Sequence, residues 1–148
     1  MIKSQLLELK LKSRFRYTLL IGLAGLVIST FYLIDILVNE ADPSMLIFNY
    51  ILMFLTAIFG LLMLYFSLEC VMDLNELKKG KSPVVTVKFI SFGKKYVNSK
   101  TQEVTYSNQV FLNTESNQEL VLVVGSIEPQ RVYKVMYGTK TKIGIALS

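Results

Sequence analysis

The 148-residue sequence contains no histidine and a single cysteine. Without histidine, the chain cannot build a histidine-based catalytic triad, a histidine general base or a histidine metal ligand. The lone Cys70 excludes an intramolecular disulfide and a cysteine/histidine zinc site. No phosphate-binding Walker loop, GxGxxG or GxSxG motif is present, and no spacing pairs two glutamates of the C-terminal region. We therefore predict a protein that is not an enzyme, with no catalytic residue, no cofactor and no bound metal.

Apolar residues are abundant instead. They make up 52% of the chain, and the mean hydropathy is +0.46. Soluble proteins contain about 45–50% apolar residues with glycine included, so this composition favours a membrane protein. The net charge of +5 is typical of nucleic-acid binding, of anionic lipid contact or of the positive-inside bias of membrane proteins. The position of the basic residues along the chain favours the last of these.

Two long apolar stretches dominate the first half, at 17–38 and 44–70. A helix needs about 20 apolar residues to cross the hydrocarbon core of a bilayer, and both stretches are long enough. Only the segment NEADP separates them, and Pro43 suits the first position of a new helix. We predict a transmembrane hairpin with a stalk at 17–81, preceded by a basic leader at 1–16 and followed by a small domain at 82–148.

Basic side chains flank the hairpin on one side only. They are Lys10, Lys12, Arg14 and Arg16 before the first stretch, and Lys78 and Lys79 after the second. The segment between the stretches contains no Lys or Arg, so the positive-inside rule places both termini in the cytoplasm and these six residues at the surface of the plasma (inner) membrane. The leader, with Ile2, Leu6 and Leu9 at helical spacing, is either a separate amphipathic helix on the membrane or an extension of the first span.

Glu69 raises the question of a buried functional carboxylate. It lies 24 residues after Met45, roughly 36 Å along a helix, which exceeds a hydrocarbon core of about 30 Å. We therefore place Glu69 at the inner interface. Beyond it, the apolar Leu74 and Leu77 run beside the acidic Asp73, which predicts an amphipathic stalk that packs on the following domain or on the leader.

Small residues recur four positions apart in both spans. Gly25 and Ser29 form one pair, and Thr56 and Gly60 form the other. Such pairs let helix backbones approach closely in a membrane. They predict helix packing, either within the hairpin or between copies of the chain in a homo-oligomer.

From Pro83 the apolar pattern changes to the alternation of β-strands. We predict five short strands, at 84–92, 103–113, 119–124, 132–138 and 142–148, with turns between them that include 93–100. No helix intervenes, and short strands bury a core best when they curl into a barrel. The predicted fold class is membrane α + β: a two-helix transmembrane hairpin followed by a small five-stranded antiparallel β-barrel of OB- or SH3-like form, with an open meander as the alternative.

The predicted barrel has eight Lys or Arg residues against four Glu. A candidate ligand or partner face consists of Tyr96, Tyr106, Arg131, Tyr133 and Tyr137. Basic residues with tyrosines on a barrel suit single-stranded nucleic acid, but the chain has no nucleic-acid signature and the hairpin holds the barrel at a membrane. The expected partners are the lipid bilayer and a protein partner or second copy, with a small ligand left open and nucleic acid not expected.

The tail RVYKVMYGTKTKIGIAL resembles the last hairpin of small bacterial two-span membrane proteins with a C-terminal cytosolic β-barrel. The layout is also similar to NfeD-like proteins, which carry an OB barrel after membrane helices, and to two-span barrel effectors of bacterial anti-phage signalling. From the layout of two spans and a small juxtamembrane barrel, we predict a non-catalytic adaptor, regulatory or immunity-type interaction module. The alternative that these resemblances imply is a ligand-gated effector of cyclic-nucleotide type that oligomerises through its spans.

Overall fold

A computed structural model describes residues 2–38, 43–93, 95–97, 104–106, 108–124, 127 and 131–147. Helix α1 spans Ile2–Val38 and helix α2 spans Pro43–Lys78, and the two pack as a hairpin. The chain divides into a helix-pair unit, Lys12–Val71, and a sheet unit, which combines Met1–Leu11 with Met72–Ser148. The predicted hairpin is confirmed, and the first eleven residues belong to the same unit as the strands.

The helix ends follow from local chemistry. Pro43 opens α2, where its missing N–H costs no intrahelical hydrogen bond. At the other end, Gly80 adopts a φ of 67°, its N–H donates to Leu77 O at 3.0 Å, and Lys81 N–H donates to Glu76 O at 2.9 Å. This pair of bonds is a Schellman motif, which favours glycine because a left-handed φ strains residues that carry a Cβ. This motif ends α2 a few residues before the first strand.

Within the described residues, seven strands follow α2. They are β1 Val84–Phe92, β2 Lys95–Val97, β3 Val104–Tyr106, β4 Gln109–Asn113, β5 Glu119–Leu122, β6 Val132–Tyr137 and β7 Gly144–Ala146. Five of them form an antiparallel sheet in the order β5-β4-β1-β6-β7, and β2 pairs with β3. The single long strand expected at 103–113 is therefore wrong, since it contains β3 and β4. The turn expected at 93–100 includes β2.

The predicted closed barrel is also wrong: the five-stranded sheet is open. Its edge strands β5 and β7 have only four and three residues. Beyond their ends, one isolated bridge joins Val123 to Ile143, with Val123 N–H donating to Lys142 O at 2.9 Å and Gly144 N–H to Val123 O at 3.0 Å. Barrel closure needs a continuous ladder between tilted edge strands, and strands this short do not provide one.

The open sheet carries a core on each face. The first core contains the buried side chains of Val87, Phe89, Phe111, Leu122, Val124 and Val135. The second core contains Leu7, Leu11, Ile143 and Ile145, with Leu74, Leu77, Met136 and Leu147 packed against it. Successive strand residues point to opposite faces, so Val135 enters the first core and Met136 the second. The stalk therefore packs on both the sheet and the leader, and the second core needs residues from both helix ends.

Candidate functional site

The most constrained polar group of the sheet unit is the carboxylate of Asp73, which is fully buried. Its partners come from the turn between β6 and β7. Oδ1 accepts from the backbone N–H of Lys140 at 3.0 Å, and Oδ2 accepts from the N–H and the hydroxyl of Thr141 at 2.8 and 2.6 Å. The hydroxyl of Thr139 donates to Glu76 Oε2 at 3.0 Å. Hydrogen bonds to an ionised acceptor are about twice as strong as neutral ones, so this cage fastens the turn to α2.

The backbone of the turn is shaped to surround this carboxylate. Lys142 has a φ of 57°, its N–H donates to Gly138 O at 3.1 Å, and Gly138 N–H donates to Ile143 O at 2.9 Å. A Cβ on Gly138 would overlap the carboxylate of Asp73, so this close approach requires glycine. Successive N–H groups that converge on an anion form a nest, and here α2 itself supplies the anion.

The side chain of Lys10, on α1, binds main-chain oxygens of the sheet unit, one of them in β7. The ammonium of Lys10 donates to Val124 O at 3.0 Å and lies 3.4 Å from Gly144 O. Leu7, three residues before Lys10, and Leu11, directly after it, are fully buried in the second core. Lys10 was expected at the membrane surface, and the structure places it on the main chain of the sheet unit. The other five residues expected at the membrane surface are exposed: Lys12, Arg14, Arg16, Lys78 and Lys79.

In the helix-pair unit, glycines form the contact between the two helices. A Cβ on Gly25 would lie 3.0 Å from Gly60 Cα and 3.2 Å from Thr56 O. A Cβ on Gly60 would lie 3.0 Å from both Gly22 O and Leu26 N. These distances are too short for most side chains, so the close backbone approach depends on glycine. The predicted packing residues Gly25 and Gly60 thus face each other inside the hairpin, and Gly22 joins them.

Hydroxyl groups bridge the two helices on either side of the glycine contact. Thr18 Oγ1 and Ser67 Oγ are 2.8 Å apart and buried. If Thr18 donates to Ser67, the Ser67 hydroxyl donates to Met63 O of its own helix. If Ser67 donates to Thr18, the Thr18 hydroxyl donates to Arg14 O of its own helix. Both hydroxyl groups therefore have an acceptor in either arrangement. Ser29 donates to Met53 O at 3.1 Å. Thr56 instead donates back to Leu52 O of its own helix at 2.8 Å.

A further polar pair of this unit joins Asp35 and Asn49. The side-chain amide of Asn49 donates to Asp35 Oδ2 at 2.7 Å, and the pair is partly buried. The contacts 18–67, 25–60, 29–53 and 35–49 keep a nearly constant sum of residue numbers, as expected of an antiparallel pair. Polar groups that lack water gain from bonding to each other, so this pair holds the far end of the hairpin together.

The candidate partner face does not assemble into one site among the described residues. Tyr133 and Tyr137 are partly buried against the first core, and the ammonium of Lys142 lies 5.8 Å from the ring centroid of Tyr137. Arg131 is exposed. Tyr96 and Tyr106 lie on the separate β2–β3 pair, where the register opposes Tyr96 to Thr105 and Tyr106 to Lys95, and their side chains lie outside the described residues.

Sequence reasoning missed the roles of Asp73 and Lys10. A signal for Asp73 was available, because it falls at helical spacing between Cys70 and Leu77, within the stripe that becomes buried. The turn sequence GTKT places two hydroxyl side chains near it. Nothing local to Lys10 distinguishes it from the neighbouring basic residues, since its acceptors lie more than one hundred positions away in sequence.

No family model, no curated protein and no solved structure matches this chain. Within the described ranges, no group of three Cys, Asp or Glu side chains is placed to hold a metal ion.

Proposed function

We propose that this protein is a non-catalytic, two-span protein of the plasma (inner) membrane that presents its sheet unit in the cytoplasm as an adaptor, regulatory or immunity-type interaction module. One observation carries the proposal. Both helices are long and apolar enough to cross a membrane, yet only 17% and 11% of their most apolar windows is buried. Apolar side chains left outside around a centre of glycine and hydroxyl groups are typical of helices solvated by lipid.

The composition of the sheet unit supports two spans. This unit contains both the first eleven residues and the C-terminal strands. That grouping is what we expect if both ends of the chain lie on one side of a bilayer, as they do after two crossings. The exposed basic residues Lys12, Arg14, Arg16, Lys78 and Lys79 flank the spans at these same ends, which favours the cytoplasmic side.

The chemistry of the buried polar groups supports an interaction role. The carboxylate of Asp73 is saturated by donors of a turn, and the ammonium of Lys10 is bound to main-chain oxygens. Groups held in this way stabilise a fold and are not free to attack or protonate a substrate. In the sheet unit these bonds fasten residues from both helices, Lys10 of α1 and Asp73 of α2, to the strands and their turns.

Cysteine labelling of the full chain tests the membrane assignment. In a Cys70→Ala background, we expect Glu40→Cys to react with an impermeant maleimide in intact cells, and Lys140→Cys to react only after permeabilisation. Labelling of Lys140→Cys from outside would reject the orientation. Release of the chain from membranes by alkaline carbonate would reject the spanning helices altogether.

A second experiment separates the adaptor from the ligand-gated effector. The full chain in nanodiscs is titrated with cyclic mono- and dinucleotides in a calorimeter, and dye-loaded vesicles with the same chain are tested for leakage. We expect neither binding heat nor ligand-dependent leakage. Heat together with leakage would reject the adaptor and favour the effector.

A further inference from the structure

One surface of the sheet unit is apolar and partly exposed. On β1, β4, β5 and β6, some side chains point away from the first core, and we call the surface that they form the outer face. Its apolar residues are Ile90, Val110, Leu112, Val121 and Val132. Ile90 and Val121 are each 47% exposed and Val132 is 55% exposed. None of the five belongs to the second core. Val110 and Leu112, between them, are half-buried. Neighbouring aliphatic groups that stay exposed on a sheet are typical of an interaction site.

Charges of both signs flank the centre of the outer face. The register aligns Val132 with Lys88, Lys88 with Leu112, and Leu112 with Glu119, so these four residues form one row across β6, β1, β4 and β5. Lys88 and Glu119 stand one strand to either side of Leu112, and both are exposed. Neither side chain has an ion pair within the part of the chain that the structure describes.

We propose that a second copy of this chain docks on the outer face, in a face-to-face dimer with its two-fold axis parallel to the strands and passing beside Leu112. This rotation exchanges the two sides of the row. Lys88 of each copy then meets Glu119 of the other, and the two Leu112 side chains meet at the centre. A patch that matches itself in this way is the requirement of an isologous interface.

The size of the patch determines where the dimer forms. Four strands at about 4.8 Å spacing and about five residues of 3.4 Å rise give a patch of roughly 300 Å² on each copy. A standard interface buries about 800 Å² per partner, so the contact is weak in free solution. Tethering raises the effective concentration of two sites. The proposal therefore rests on the proposed membrane anchoring, which confines both copies to one bilayer.

The charge row favours a second copy over lipid as the occupant. An anionic lipid surface would attract Lys88 but would repel Glu119, which lies in the same row. A two-fold partner pairs both charges. Aliphatic groups between paired opposite charges match the usual composition of a protein contact, with an apolar centre and a polar rim.

Disulfide formation in membranes tests the central contact. In a Cys70→Ala background, Leu112→Cys is expected to give a covalent dimer under mild oxidation, because the two substituted side chains meet on the axis. Lys81→Cys, an exposed position outside the outer face, is the matched control and should remain monomeric. A monomeric Leu112→Cys chain in the carbonate-resistant membrane fraction would overturn the dimer while leaving the proposed function intact. Loss of the chain from that fraction would instead reject the membrane anchoring.

Charge reversal tests the pairing across the axis. Lys88→Glu and Glu119→Lys should each reduce Leu112→Cys cross-linking at least several-fold, since like charges then meet. Co-expression of the two single variants should restore cross-linking, because every contact then pairs opposite charges. Failure of the mixed pair to recover would overturn the proposed register. Quenching of a fluorophore at Leu112→Cys by brominated lipid, without dimer formation, would show that lipid covers the face and would reject the proposal.

Discussion

The helix-pair unit and the sheet unit differ in the kind of side chain that each places inside. In the helix pair, glycines and hydroxyls lie inside and large apolar groups such as Phe31, Phe54 and Leu61 lie outside. In the sheet unit, the large apolar groups lie inside, and charged side chains satisfy the main chain around them. In lipid, the close approach of two helix backbones is favourable, and burying aliphatic side chains gives no gain in free energy. In water, burying aliphatic side chains is favourable.

The largest expected difference between the two units is the effect of truncating a large apolar side chain on the stability of the sheet unit. Phe111 is fully buried in the first core, whereas Phe54 is exposed on α2. Phe111→Ala should lower the free energy of unfolding of the sheet unit by about 3–5 kcal/mol. Phe54→Ala should leave that unit unchanged. Denaturant unfolding of the full chain in micelles, followed by the circular dichroism of the sheet, measures both, and equal losses would remove the contrast.

Two of the acidic residues of α2, Asp73 and Glu69, provide the next contrast. Asp73→Asn puts amide N–H groups against the N–H donors of the turn, and we expect a loss of about 1.5–3 kcal/mol in the same unfolding measurement. Glu69→Gln changes a partly exposed residue outside the cage and should stay within about 0.5 kcal/mol of the parent chain. An Asp73→Asn chain as stable as the Glu69→Gln chain would show that the cage contributes nothing.

Glycine at the helix contact tests the other unit. Gly60→Val forces a side chain against Gly22 O and Leu26 N, and we expect about 1–3 kcal/mol of destabilisation of the helix pair. Ala24→Val, at an exposed position of α1, should have little effect. The readout is the rate of disulfide formation between Ser29→Cys and Met53→Cys in a Cys70→Ala background. Unchanged cross-linking with Gly60→Val would contradict the close packing.

The smallest effect is expected from the hydroxyl pair. A double-mutant cycle of Thr18→Val and Ser67→Ala should give a coupling of about 0.6 kcal/mol, and at most about 1.7, as found for polar contacts between membrane helices. Thr30→Val is the control, since its hydroxyl donates only to Leu26 O of its own helix. The steric-trapping stability of the helix pair measures both cycles. A coupling of equal size between Thr30→Val and Ser67→Ala would show that the hydroxyl contact is not specific.

Much of the secondary structure was predictable because its signals are local. The strand expected at 84–92 is β1 to the residue, and that expected at 132–138 is β6 within one residue. The two helices and their short connection follow from apolar runs of sufficient length. The short strand β2 was missed because Gly93 and the lysines beside it read as a turn, while its pairing with β3 depends on residues seven or more positions later.

The sites were less predictable. Gly25 and Gly60 could be named from spacing, but their contact inside one hairpin required knowing that the two helices meet at those levels. Lys10 and Asp73 look like ordinary members of a basic leader and an acidic stripe. Their partners lie far away in sequence: Thr141, in the turn before β7, is 68 positions from Asp73, and Gly144 of β7 is 134 positions from Lys10.

The sequence by itself determined two apolar helices, the basic residues that flank them and the period of the strands, because each depends on neighbours within a few residues. Only the tertiary structure decided that the sheet stays open, that both helix ends complete its second core, and that the carboxylate of Asp73 lies in the nest between β6 and β7. Those outcomes depend on which distant groups can share a desolvated space, and the free energy of such contacts has no local signature.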